Sequence, residues 1–172
     1  MLIRRETSAD AAAVRAVTAA AFARPEHPAP TCAEADLVDE LRAGDAWLPE
    51  LALVAVESDA VIGHVMGSRA RVGAAAVIAV GPLSVHPDHQ GCGVGLALMH
   101  AVLGAADALG EPLVALLGDP RYYSRFGFRL ADEFGIVAPV PQWRPHFQVR
   151  TLTAFTPEIR GRFTYAEPFN RV

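Results

Sequence analysis

Hydrophobic and polar positions change period several times along the chain, and each change marks a predicted element. Leu2 to Arg5 reads as a short first strand. Thr7 followed by Asp10 has the spacing of a capping box, in which each residue satisfies the other's free backbone donor, and Val14, Val17 and Ala21 continue behind it at helical spacing. A proline-rich break from Pro25 to Pro30 ends that helix. Thr31 and Glu34 repeat the box ahead of Leu37, Val38 and Leu41, and Gly44 closes a second helix. Leu51 to Glu57, Ala60 to Arg71 and Ala75 to Val85 then read as three strands, the first two joined by a tight turn at Ser58 and Asp59. Three consecutive strands imply an antiparallel meander.

Beyond the meander, Val94, Leu98, Ala101, Val102, Ala105 and Leu109 fall on one helical face, and Gly110 with Pro112 stops the helix. Leu113 to Leu117 is apolar throughout, which suits a central strand covered on both faces and reached by a right-handed crossover. Arg121 to Phe126 reads as a short helix stopped by Gly127. Phe128 to Ala131 and Phe147 to Leu152 are strand-like, with Pro139, Pro141 and Pro145 between them and a less regular pattern throughout. There is no internal repeat. The elements together give an α/β (α+β) chain with a mixed, mostly antiparallel central sheet.

Composition narrows what such a chain can be. At 172 residues it is one domain by length, and 52% hydrophobic against 20% charged residues is enough to form a core. The longest apolar stretch, Gly73 to Val85, is too short to span a membrane and is interrupted by Gly81 and Pro82; charges within Met1 to Glu6 do not suit a signal peptide. A cytoplasmic location is therefore expected. The net charge of -4 and the lack of a basic stripe argue against nucleic acid as a partner. Cys32 and Cys92 are too few and too far apart for a disulfide scaffold or a paired-cysteine zinc site. All 15 basic residues are arginine, which excludes phosphate-loop NTPases and pyridoxal phosphate enzymes, since both need a lysine.

The most informative segment runs from Leu83 to Leu98. A strand passes through His86, Pro87, Asp88 and His89 into Gln90, Gly91, Cys92, Gly93, Val94 and Gly95, and a helix follows at once. Glycines let the backbone approach a bulky ligand, and the first helical turn presents unpaired amides and the positive end of its dipole, an arrangement that holds a phosphate or pyrophosphate. A dinucleotide fingerprint would need glycine at position 96, which is Leu96. A glycine-rich strand-to-helix turn without a ligand is the alternative reading of this segment alone.

Gln90, Gly93 and Gly95 match the acyl-CoA signature of the GNAT superfamily of N-acyltransferases, namely Gln or Arg, two residues, Gly, one residue, then Gly or Ala. Val85 to Asp88 resembles the strand end that precedes that signature, and Tyr122 to Phe128 resembles the superfamily's last short helix. The run from Asp119 to Phe128 and the Tyr165 to Phe169 tail are similar to a branch of small bacterial N-acetyltransferases. The resemblance implies a single N-acetyltransferase domain over 1–172, with a core of about 2–152 and a C-terminal extension of 153–172. It also implies a sheet splayed open between the strand ending near Val85 and that at Leu113 to Leu117. Acetyl-CoA would be the cosubstrate, held by Leu83, Ser84 and Val85 along the arm and by Gln90, Gly91, Cys92, Gly93, Val94 and Gly95 at the pyrophosphate.

Transfer from a thioester to an amine through a tetrahedral intermediate needs a neutral amine, a stabilised oxyanion and a proton for the leaving thiolate. The resemblance makes Tyr123, four residues before Gly127, the general acid; packing with a bonded hydroxyl is the alternative, favoured for Tyr122. The Val85 amide would stabilise the oxyanion. The strand before the signature lacks the acid found there in many relatives; Glu34 of the second helix is a candidate base, although its capping spacing gives it an ordinary role, and a water relay or delivery of an already neutral amine fits as well. His86 and His89 with Asp88 suggest a metal site, yet two histidines in a turn without a third ligand are more often polar loop residues, so no metal is expected. The acceptor would be a small-molecule or peptide amine, in a pocket formed by the first two helices, the Trp47 loop and the region of Trp143. Asp36, Asp39 and Glu40 suit a solvated helix face. A homodimer is the default expectation for a small enzyme. A noncatalytic acyl-CoA sensor and a nucleotide-binding protein are the competing classes.

Overall fold

The structure, a computed structural model, describes residues 1–23 and 32–171. In chain order the elements are β1 (Leu2–Arg5), α1 (Ala11–Ala21), α2 (Ala33–Ala43), β2 (Trp47–Glu57), β3 (Ala60–Val72), β4 (Ala75–Val85), α3 (Val94–Ala108), β5 (Leu113–Leu117), α4 (Pro120–Tyr123), β6 (Arg129–Leu130), β7 (Ile136–Val137), β8 (Phe147–Thr151) and β9 (Gly161–Thr164), with short 3-10 turns between them. The sheet runs β1-β2-β3-β4-β5-β8-β6, with β9 joining β3 and β7 joining β9. Pairing is antiparallel except between β4 and β5 and between β7 and β9. The expected meander is present, and Ser58 and Asp59, at φ 48° and 64°, make the left-handed turn that joins its first two strands.

Side-chain alternation along each strand divides the core into two faces. Leu53, Val65, Ile78, Val80, Val114 and Leu116 point to α3, whereas Val54 and Met66 point to α1 and α2. Further along the second face, Val77, Ala79, Leu113, Ala115 and Phe147 pack with Phe163 of β9. The 153–172 extension thus contributes a strand and a buried phenylalanine to the sheet, a contribution its irregular pattern concealed.

Two expectations about elements need correction. On α3 the buried stripe comprises Val94, Leu98, Met99, Val102, Leu103 and Ala106, while Leu109 is 49% exposed. The helix lies over both β2 and β3, so its apolar face is wide and is centred away from the Ala101, Ala105 and Leu109 edge. Strand β2 starts at Trp47 rather than Leu51, paired to β3 across an irregularity between Trp47 and Ala52. The capping role of Thr31, like the Pro25 to Pro30 break, lies outside the described residues; α2 begins after Cys32, whose thiol donates to Glu34 Oε2 at 3.2 Å.

The first capping box forms as expected and does more than cap. The buried Asp10 carboxylate accepts the Thr7 amide and hydroxyl, both at 2.8 Å, and Arg4 of β1 grips both its oxygens at 2.7 and 2.8 Å. Asp36 and Asp39 of α2 lie on an exposed face, as expected, where Arg15 of α1 reaches them at 2.6 and 2.5 Å. Beneath them, buried His64 meets Glu6 at 3.0 Å, and Glu6 also accepts from Arg42 at 2.7 Å.

The feature that positions the site is where pairing stops. Strands β4 and β5 pair at Ile78 with Val114 and at Ala79 with Ala115. Beyond that point the register of β4 against β3 slips, so that Gly81 and Pro82 bulge opposite Met66, and β5 continues on β8 alone. The last third of β4 therefore has one edge facing an opening in the sheet.

Candidate functional site

Backbone alternation decides what this open edge presents. The His86 amide donates to Ile62 O at 2.9 Å, which makes the next facing pair, Gly63 with Val85, a pair without mutual hydrogen bonds, and Val65 with Leu83 another. The main-chain groups of Leu83 and Val85 consequently point away from β3 into the opening. Those of Ser84 face His64 in the ladder, and its buried hydroxyl donates to Thr18 at 3.2 Å. Ser84 is thus turned away from the opening on both counts, contrary to its expected place in the cofactor set.

The turn after β4 is built for close approach. Gly91 and Gly93 have φ of 74° and 84°, where an L side chain is strained, and Gly93 caps α3. Gln90 folds back, its amide donating to Val85 O at 3.1 Å, which ties the turn to the end of the open edge. A cavity of about 490 Å³ lies against these residues, bounded by Leu83, Val85, Gly95, Tyr122 and Arg125. The exposed Cys92 side chain does not line it. Tyr122 is more than packing, since it borders this cavity with the Arg125 guanidinium 4.6 Å from its ring centroid.

A second cavity, of about 370 Å³, continues from the first at Phe22 and Leu83 into the split between Pro82 of β4 and Leu117 of β5. Tyr123 and Glu34 both line it. Gly118 lets the Tyr123 ring lie against the end of β5: a Cβ at 118 would sit 2.2 Å from Tyr123 Cε2. Burial pushes the Tyr123 phenol up to about 12, helped by Tyr122, so it stays protonated at neutral pH. Burial likewise raises the Cys32 thiol, keeping it a donor to Glu34. The remaining wall is aromatic: Trp143, Tyr165 and Phe169. Trp143 is where the sequence placed it, but Trp47 sits at the start of β2 beneath Arg42 and borders neither cavity, which corrects the pocket expected there. Tyr165 and Phe169 were visible only as an aromatic-rich tail. A larger cavity, of about 670 Å³, lies between the end of α2 and β9, remote from the glycine turn; of its arginines, Arg69 is engaged by Glu111 and Arg171 by Glu40, while Arg71 donates to Ala74 O. His86 and His89 reach only Asp88 and Glu57, at 3.7 and 3.8 Å.

Comparison with known proteins agrees with this geometry. Residues 49–130 match a family model described as an acetyltransferase (GNAT) domain. Over 99% of both chains the sequence is 35% identical to YhbS of Escherichia coli strain K12, described as an uncharacterized N-acetyltransferase. The chain belongs to the GNAT family of N-acetyltransferases. Among solved GNAT structures, YhbS of Escherichia coli in complex with CoA superposes with a TM-score of 0.88 at 32% identity, covering 99% of this chain and 92% of that one. A GNAT acetyltransferase from Brucella melitensis in complex with acetyl-CoA gives 0.78 at 34% identity, covering 98% and 97%. The splayed, mostly antiparallel sheet is the GNAT fold, and the Gln90 to Gly95 turn stands where β4 hands over to α3 in it.

Proposed function

We propose that this GNAT chain moves an acetyl group from acetyl-CoA to a primary amine by direct attack. The observation that carries the reading is the unpaired edge at Leu83 and Val85, which opens at one end on the glycine turn and at the other on the cavity holding Tyr123. The residues present fit the cosubstrate. Amides of the Gln90 to Gly95 turn and the start of α3 suit a pyrophosphate, Arg125 adds a cation at the rim, and the Leu83 and Val85 edge can pair with an extended arm. When bound, acetyl-CoA supplies a thioester carbonyl that an amine can attack.

The amine nitrogen forms a bond to the carbonyl carbon, the carbon–sulfur bond breaks, and the proton lost by nitrogen balances the one gained by sulfur. The Val85 amide, unpaired on the open edge, is placed to stabilise the oxyanion of the tetrahedral intermediate. Tyr123, protonated and lining the second cavity, delivers the proton to sulfur. Glu34 is the carboxylate lining that cavity and the group assigned to take the amine's proton, directly or through water. Calorimetry with CoA and a thiol-release assay with an amine panel test the reading. Heat of binding followed by amine-dependent thiol release is expected; binding with no release for any amine would instead make this a sensor of acyl-CoA.

A further inference from the structure

The lining of the acceptor-side cavity carries information about what enters it, given that transfer occurs there as proposed above. Among the described residues that border it, Glu34 is the one acidic side chain, and none is basic. Tyr123 and Tyr165 are both held neutral by burial, and the rest is aliphatic or aromatic. No arginine borders it among the described residues, and Arg125 lines the adjoining cavity, against the glycine turn. Nothing described in the cavity can neutralise a carboxylate or phosphate on the acceptor, and burying such a group unpaired is costly. A second ammonium on the acceptor would equally find no second carboxylate among the described residues of the lining.

The aromatic wall is also fixed in shape. Tyr165 stacks at 4.5 Å on Phe169 and meets Phe163, a buried core residue of β9, at 4.8 Å, while Trp143 meets Tyr165 edge-on at 6.3 Å. These rings are anchored to the sheet and leave a space of about 370 Å³, at the small end of ligand sites. A flat apolar group fits such a wall, because aromatic pairs of this geometry add to the gain from burial. We propose that the acceptor is an arylalkylamine-type primary monoamine, its nitrogen at Glu34 and its ring against Trp143, Tyr165 and Phe169, and that amines bearing an adjacent carboxylate or several positive charges are discriminated against.

The test compares phenethylamine, phenylalanine, spermidine and a lysine-containing peptide as acceptors for the full chain with saturating acetyl-CoA, alongside calorimetry with CoA. Phenethylamine and phenylalanine share a skeleton and differ by one carboxylate, so their ratio of kcat/KM isolates the charge. A preference of about tenfold or more for phenethylamine over each of the others is expected. In Trp143→Ala, KM for phenethylamine is expected to rise about tenfold while KM for acetyl-CoA is unchanged. Phenylalanine, spermidine or the peptide used as well as phenethylamine overturns the proposal while leaving acetyl transfer intact. CoA binding with no amine acetylated also overturns it and points to the sensor. Absence of CoA binding removes both the proposal and the functional reading beneath it.

Discussion

Tyr123 has a definite acid–base state because of where its ring lies. With its phenol pushed up to about 12, it is a donor throughout the range in which an alkyl amine loses its proton, so the rate should rise with pH through amine deprotonation with no fall attributable to Tyr123 below about pH 11. In Tyr123→Phe we expect kcat to drop by about 100-fold with CoA affinity unchanged, as measured by steady-state kinetics and calorimetry. Much of the lining of the candidate site was legible at this scale, since Gln90, Gly91, Gly93, Gly95 and Tyr123, which border the two cavities, sit in local patterns whose spacing has a mechanical reason. Ser84 was misassigned because a neighbour's position in a strand does not reveal which main-chain groups are already paired. Gly118 went unremarked because its role depends on a ring five residues away folding back over it.

At the scale of elements, the strand and helix starts were readable wherever a cap or turn residue had to occupy them. The Thr7 and Asp10 box shows why: a carboxylate that receives Thr7 and two arms of Arg4 fastens the entry of α1 to β1. The Arg4 guanidinium and the Thr7 donors hold the Asp10 carboxyl well below the usual carboxylate range. Its contribution to stability is therefore present above about pH 4 and declines as pH falls below that value. Asp10→Asn should cost about 1–2 kcal/mol at neutral pH in urea unfolding, and the difference from the parent should shrink in acid. The elements that escaped sequence reading, β7 and β9, are short and gain their identity from partners far away in the chain: β9 is a strand because β3 offers Arg71 and Val72 to Thr164 and Phe163. No local period in Gly161 to Thr164 could announce that.

For the whole molecule, the sheet is held to its helices partly by polar groups that water does not reach. Burial drives His64 toward its neutral form despite Glu6. Burial alone would raise Glu6, but the hydrogen bonds from His64 and Arg42 and the Arg42 charge outweigh it and keep that carboxyl low. Both groups take up protons more readily once the chain unfolds. The His64 contribution is present above the ordinary histidine value of about 6.5 and is lost as pH falls below it, with Glu6 adding to the loss in stronger acid. The thermal midpoint should accordingly decline between about pH 7.5 and about pH 5.5, a decline that His64→Gln should diminish.

The two cavities touch at Phe22 and Leu83 and otherwise occupy separate ground. Neither lining, among the described residues, includes a serine, threonine or cysteine side chain that might carry the acetyl group on its own. On the direct attack proposed above, donor and acceptor are aboard together before either product departs, so reciprocal initial-rate plots at several fixed acetyl-CoA concentrations should intersect; parallel lines would instead indicate an acetyl group carried on the enzyme.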